Sequence, residues 1–91
     1  MNYVEVKHIG NRFYVETEHG DAELLYRIEE NKMIIYKTFV PEEERHAGIA
    51  YQMTQKAIEY ANENKLIVVP ACEYAQHFME KRASEEGQQH A

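Results

Sequence analysis

Val40-Pro41-Glu42-Glu43-Glu44-Arg45-His46-Ala47-Gly48-Ile49-Ala50 is the stretch that decides how this chain folds. Before it, apolar residues alternate as they do in strands; after it, they recur every three or four residues as they do along a helix. Pro41 stops the strand because it has no N–H to give to a neighbour. The helix then begins among small residues. Its first-turn N–H groups have no intrahelical acceptor and stand at the positive end of the helix dipole, so small side chains there leave room for an anion such as phosphate. Arg45, Ala47, Gly48 and Ala50 supply that pattern.

Working back towards the N-terminus, residues 3–9 and 12–17 alternate with period two, Val4 and Val6 in one run and Phe13 and Val15 in the other. Gly10-Asn11 between them predicts a hairpin. His19-Gly20-Asp21 is the next turn, leading to a half-buried strand with Ala22, Leu24, Tyr26 and Ile28 on one face and Glu23 and Arg27 on the other. Glu29-Glu30-Asn31-Lys32 turns again, and Met33 to Val40 is apolar on both faces, which predicts a strand in the middle of a sheet.

Forward from Gly48, Ile49, Met53, Ala57, Tyr60 and Ala61 form one helical stripe, with Gln52, Gln55, Lys56, Glu59 and Glu63 mostly opposite. Asn62-Glu63-Asn64-Lys65 closes that helix. Leu66 to Val69 is a short apolar strand stopped by Pro70, and strand, helix, strand predicts a right-handed parallel crossover beside the fourth strand. Ala75, Phe78 and Met79 mark a second, shorter helix. The sequence reads as one domain over residues 1–83 with a frayed tail over 84–91, and the tyrosine and methionine positions read as core.

A chain of 91 residues supports one core and no long insertions. Hydrophobic content of 44% suits a globular fold, and no apolar run approaches the roughly 18–20 residues of a membrane span. The start, Met1 to Lys7, goes straight into strand alternation and not into a signal peptide, which makes the cytoplasm the expected compartment. A single cysteine, Cys72, excludes an internal disulfide and a zinc site of several thiolates. Net charge is −6 with the basic residues scattered, so a nucleic-acid or basic membrane-surface footprint is missing. An anionic ligand has to be held locally, by backbone and one or two side chains.

Four antiparallel strands followed by an anion-binding loop, helix, parallel strand and C-terminal helix (β-β-β-β-α-β-α) resemble an α+β fold, a truncated GCN5-related N-acetyltransferase (GNAT) domain without the helices that usually follow the first strand. Arg45-His46-Ala47-Gly48-Ile49-Ala50 is similar to that family's acyl-CoA signature, Arg/Gln-x-x-Gly-x-Gly/Ala. Asn11-Arg12-Phe13-Tyr14, Val40-Pro41-Glu42-Glu43 and Pro70-Ala71-Cys72-Glu73-Tyr74 more narrowly resemble the small single-domain GNAT-like proteins of about this length, the NATD1-type group. The short motif alone is weak; its context of strand, loop, helix and following strand gives it value. The resemblance implies acetyl-CoA as cofactor, with His46, Ala47, Gly48, Ile49 and Ala50 around the pyrophosphate, Arg45 beside a phosphate, and Phe39 and Val40 along the pantetheine arm. It implies acetyl transfer to an amine acceptor, in a monomer or weak homodimer. Two positions depart from the small relatives: Lys37-Thr38 stands where they have His-Thr, and His46-Ala47 where they have Gly-Gln, so a residue with a side chain occupies a position where glycine is free to take φ > 0.

Each candidate has a plainer reading beside it. Arg45 pairs with a phosphate or offsets Glu42, Glu43 and Glu44; Gly48 gives steric access or backbone freedom. Cys72, after Pro70 at the mouth of the last strand, is expected either to take part in acyl chemistry as a thiolate or to be an inert, part-buried cysteine at a helix start. Tyr74 is the candidate general acid that the resemblance implies, with ordinary packing as its equal alternative. His77 reads as a surface histidine, and Glu42-Glu43-Glu44 either hold a general base for an amine or form a solvated run favoured by the helix dipole. The competing function is a non-catalytic acyl-CoA-binding or protein-interaction module on the same scaffold.

Overall fold

The computed structural model describes residues 3–89. Its order is β1 (Lys7–Ile9), β2 (Arg12–Thr17), β3 (Gly20–Glu29), β4 (Lys32–Phe39), a 3-10 turn (Glu42–Glu44), α1 (Ile49–Glu63), β5 (Ile67–Pro70) and α2 (Glu73–Gln89). The strands lie in the order 1-2-3-4-5, antiparallel from β1 to β4 and parallel between β4 and β5. The sheet is therefore mixed, and β4 is interior, as its two apolar faces require. No helix among the described residues is long and apolar enough to cross a membrane.

Alternation places Phe13 and Val15 opposite Leu24 and Ala22 on the face that α1 covers, where all four are buried. From α1, Ile49, Met53, Ala57 and Ala61 press onto them, the two alanines letting helix and sheet approach closely. Tyr26 is buried in the same layer; its hydroxyl donates to the Gly10 carbonyl at 3.1 Å and lies 2.7 Å from His8 Nε2. One hydroxyl proton serves one acceptor, so His8 donates from Nε2 in that pair. Burial, with neighbouring Tyr60 adding to it, pushes the Tyr26 phenol up to about 12.

β3 and β4 slip register once. Leu25 pairs with Lys37 but Tyr26 pairs with Ile35, so Tyr36 is an extra, bulged residue. The bulge resets the alternation of β4: Met33 and Ile35 face the helix before it, and Thr38, opposite buried Leu24, does so after it. Lys37 falls on the other face. β5 follows β4 only as far as the Ile35–Pro70 pair, closed by an Ala71 N–H to Ile35 carbonyl bond of 2.8 Å. Pro70 cannot extend that ladder, so Tyr36–Phe39 have no strand partner on the β5 side and the sheet opens there.

α1 ends in a Schellman motif, with Leu66 N–H bonded to Ala61 carbonyl at 2.8 Å and Lys65 N–H to Asn62 carbonyl at 3.3 Å. Lys65 takes the left-handed residue at φ 57° that glycine usually fills.

Several expectations need correction. The first strand is three residues long and not the seven of 3–9. Gln52, placed on the solvent face, is buried and accepts the Val4 N–H at 3.0 Å, so a polar side chain of α1 anchors the segment before β1. Ile28 shares the helix-facing side but is 42% exposed, because it lies beyond the reach of α1. Tyr3, Tyr36 and Tyr51 are exposed and not core: they precede the sheet, bulge from it, and stand in the first turn of α1, respectively. α2, with 17 residues against 15 in α1, is the longer helix and not the shorter. Its backbone carries residues 84–89 of the expected tail as helix, and residues 90 and 91 lie outside the described residues.

Candidate functional site

Where β4 and β5 part, a cleft of about 420 Å³ opens between the end of β4, the loop before α1 and the start of α2. Phe39 and Val40 form its strand wall. Arg45, His46, Gly48, Ile49 and Ala50 form the loop and helix wall, while Ala47, exposed, stays outside the lining. Tyr74 closes it from α2. Residues as far apart in sequence as Thr38 and Tyr74 are thus brought together by one crossover.

The loop is shaped by backbone more than by side chains. Pro41 is buried and the Glu44 and Arg45 N–H groups return to the Pro41 and Glu42 carbonyls at 2.9 and 3.3 Å. Gly48 caps α1 at φ 81°, ψ 14°, in the left-handed region. Its backbone freedom is therefore required here, whatever room its missing side chain also leaves. His46 holds φ 72° as well, so the histidine adopts the conformation that glycine would take without cost.

The first turn of α1 is electrically open. No side chain caps it, no acidic residue lies in it, and the first helical bond shown is Gln52 N–H to the Gly48 carbonyl at 3.1 Å. The preceding N–H groups point at the cleft end of the helix without an intrahelical acceptor. Arg45 is exposed; its Nε donates to the Val40 carbonyl at 3.2 Å, and among the described residues it pairs with none of the three glutamates before it. That bond ties the loop to the end of β4.

Across the cleft, Tyr74 is half-buried, and no hydrogen bond to its hydroxyl occurs among the described residues. Burial, then the nearby Tyr51, raises its phenol above the ordinary tyrosine value, so it keeps its proton. The Phe78 ring packs near both, its centroid 5.3 Å from that of Tyr51 and 6.3 Å from that of Tyr74. Cys72 is half-buried and free, and it is not part of the cleft lining. Its Sγ lies 3.4 Å from the Thr38 hydroxyl, which does line the cleft. Cys72 also caps α2, its carbonyl taking the Gln76 N–H at 3.0 Å. His77 is exposed on α2, as its surface reading requires.

Thr38 and Tyr51 line the cleft without having been singled out for it, and so does Glu44 from the run that offered a general base or a solvated face. Thr38 reaches it only because of the Tyr36 bulge, which leaves no mark in the sequence. Tyr51 had a usable signal, since it is the third residue of a helix whose first turn was already suspected.

Set against known proteins, residues 12–88 match the GCN5-related N-acetyltransferase family. A GCN5-like protein from Staphylococcus aureus, solved by NMR in solution, superposes with a TM-score of 0.74 at 31% identity, over 94% of this chain and 87% of that one. No curated protein matches the sequence. With the mixed sheet splayed beside an uncapped helix start, these two matches place the chain in the GCN5-related N-acetyltransferase family.

Proposed function

We propose that this protein binds acetyl-CoA in the cleft and transfers the acetyl group to an amine. The observation that carries the reading is the uncapped, acid-free first turn of α1, opened by Gly48 and faced by Tyr74. Its N–H groups, with those of the His46–Gly48 loop, would receive pyrophosphate oxygens, and the terminal nitrogens of Arg45 would reach a phosphate. The edge of β4 at Phe39 and Val40, unpaired on the β5 side, offers backbone groups to a pantetheine arm. Acetyl-CoA supplies an activated acetyl thioester. Tyr74, with its proton held by burial, is placed to protonate the departing sulfur. Cys72 stands one side chain behind, against Thr38, as the second group near the chemistry.

Three residue stretches favour the small single-domain group within the family, and the free Cys72 suits a reducing compartment such as the cytoplasm. The acidic net charge argues against nucleic acid and for a cationic amine as acceptor.

One observation favours a second reading, an acyl-CoA-binding module without turnover. Glu44 is the carboxylate of the cleft lining, and it is engaged by His19, which leaves no free carboxylate among the lining residues to act as base. Incubation with acetyl-CoA and a panel of primary amines, following free thiol, separates the two. Amine-dependent thiol release that falls in Tyr74→Phe supports transfer; saturable CoA binding without release by any amine supports the module.

A further inference from the structure

Glu44 is out of place in an anion site. It lines the cleft one residue before Arg45, and its side chain is only 24% exposed. A bare carboxylate there would repel phosphate. It is not bare, because its Oε2 lies 2.9 Å from Nδ1 of His19. His19 sits on the turn between β2 and β3, and that turn is itself fastened: the Thr17 hydroxyl donates to the Gly20 carbonyl at 2.6 Å and accepts the His19 N–H at 3.1 Å. A hydroxyl bonded on both sides fixes the backbone from which the imidazole is presented.

The geometry points to His19 as a positioning residue for cofactor binding, one that neutralises Glu44 and holds its carboxylate back from the anion-binding loop. The inference rests on the acyl-CoA reading of that loop.

The charges around the pair leave His19 as the partner that matters. On the loop stand Glu42, Glu43, Arg45 and His46; Arg45 is turned to the Val40 carbonyl. On the turn stand Glu18 and Asp21, the latter paired with Arg12 at 3.1 Å. From α1 and α2 come only the phenols of Tyr51 and Tyr74. The hydrogen bond to Glu44 outweighs desolvation and, with the charges of Glu43 and Glu44, raises His19 above its ordinary value. The sign follows. The neutralised pair exists below that raised value and is lost as pH rises through it, so its contribution to CoA affinity falls with rising pH.

The test measures CoA affinity by calorimetry at fixed ionic strength, from about pH 5.5 to about pH 9, for the parent protein, His19→Gln, Glu44→Gln and the double variant, with the His19 imidazole followed by NMR. For an exposed, screened pair the expected loss in His19→Gln below the His19 pKa is about three- to fivefold. Glu44→Gln and the double variant should bind at least as tightly as the parent, more tightly at alkaline pH, and His19 should titrate lower in Glu44→Gln. The slope from the CoA phosphates is common to all four proteins and cancels. A double variant as weak as His19→Gln would make the histidine merely structural and overturn the inference. So would parallel profiles in all four. Absence of CoA binding by every form at every pH would overturn the loop assignment itself, a different result from equal binding.

Discussion

α1 and α2 each follow a strand that stops at a proline, and the two helix starts differ in how their positive ends are satisfied. At α2, only Ala71 and Cys72 separate Pro70 from the helix, and Glu73 places a carboxylate in the first turn. That end is compensated from within. At α1, a longer loop with a 3-10 turn ends in left-handed Gly48, and the first turn holds no acid and no side-chain cap. Its N–H groups are left for something from outside the chain. The contrast teaches that strand, proline and helix do not make an anion site; the residues withheld from the first turn do.

The largest effect should come from closing the open start. Gly48→Glu should weaken CoA binding at least about a hundredfold, since it sets a like charge against the phosphates at a helix N-terminus. Because Gly48 sits at φ 81°, any side chain there also strains the loop, so Gly48→Asn, which tolerates the left-handed region, is the control. Asn should retain most of the affinity in calorimetry; equal loss in both would assign the glycine to backbone shape alone.

Making α1 resemble α2 is the next sharpest test. Ala50→Glu should cost about tenfold or more in CoA affinity while leaving the melting temperature level or raised, because an acid in a first turn stabilises a helix by about 0.3–1 kcal/mol. Glu73→Gln on α2 should leave affinity within about twofold, given that exposed charges act weakly. If the two substitutions behave alike, the comparison between the helix starts has no functional content.

Tyr74→Phe should lower kcat about a hundredfold or more with KM for acetyl-CoA unchanged, as expected for loss of a general acid. The direction of its pKa sets the pH profile. A phenol raised above the ordinary value of about 10 stays protonated through the alkaline range, so the acid limb should not appear below that value. A limb at lower pH that survives in Tyr74→Phe would assign it to another group.

The smallest effect concerns the left-handed residues. His46→Gly should stabilise the fold by about 1 kcal/mol in urea unfolding through relief of a side chain at φ 72°, and Lys65→Gly at the end of α1 should do about the same. No gain in either would show that the loop does not hold this conformation in solution.

What was legible in the sequence is what short-range chemistry writes there. β2 falls on the expected 12–17, Pro41 and Pro70 mark where β4 and β5 give way to the loop and to α2, and the stripe from Ile49 to Ala61 names the buried face of α1. Arg45 to Ala50 were read as one anion-binding junction, and the fold brings all of them but Ala47 to the cleft. Missed features depend on partners distant in sequence. The Tyr36 bulge is a property of the β3–β4 pair and not of either strand, and it alone turns Thr38 inwards. Gln52 looked like a solvent-face residue because nothing near it announces the Val4 N–H it serves. Glu44 looked like one of three solvated acids because His19, 25 residues away, is invisible to a local pattern. The length of α2 was underestimated because apolar periodicity fades after Met79, while the Glu, Lys, Arg and Gln that follow are good helix formers without it.

The most direct test of the central claim is the amide spectrum of the labelled protein titrated with CoA. Shift changes should concentrate at residues 46–51, at the open start of α1, and at Phe39 and Val40 along the unpaired edge of β4. Amides of residues 46–51 that stay in place at millimolar CoA would contradict it.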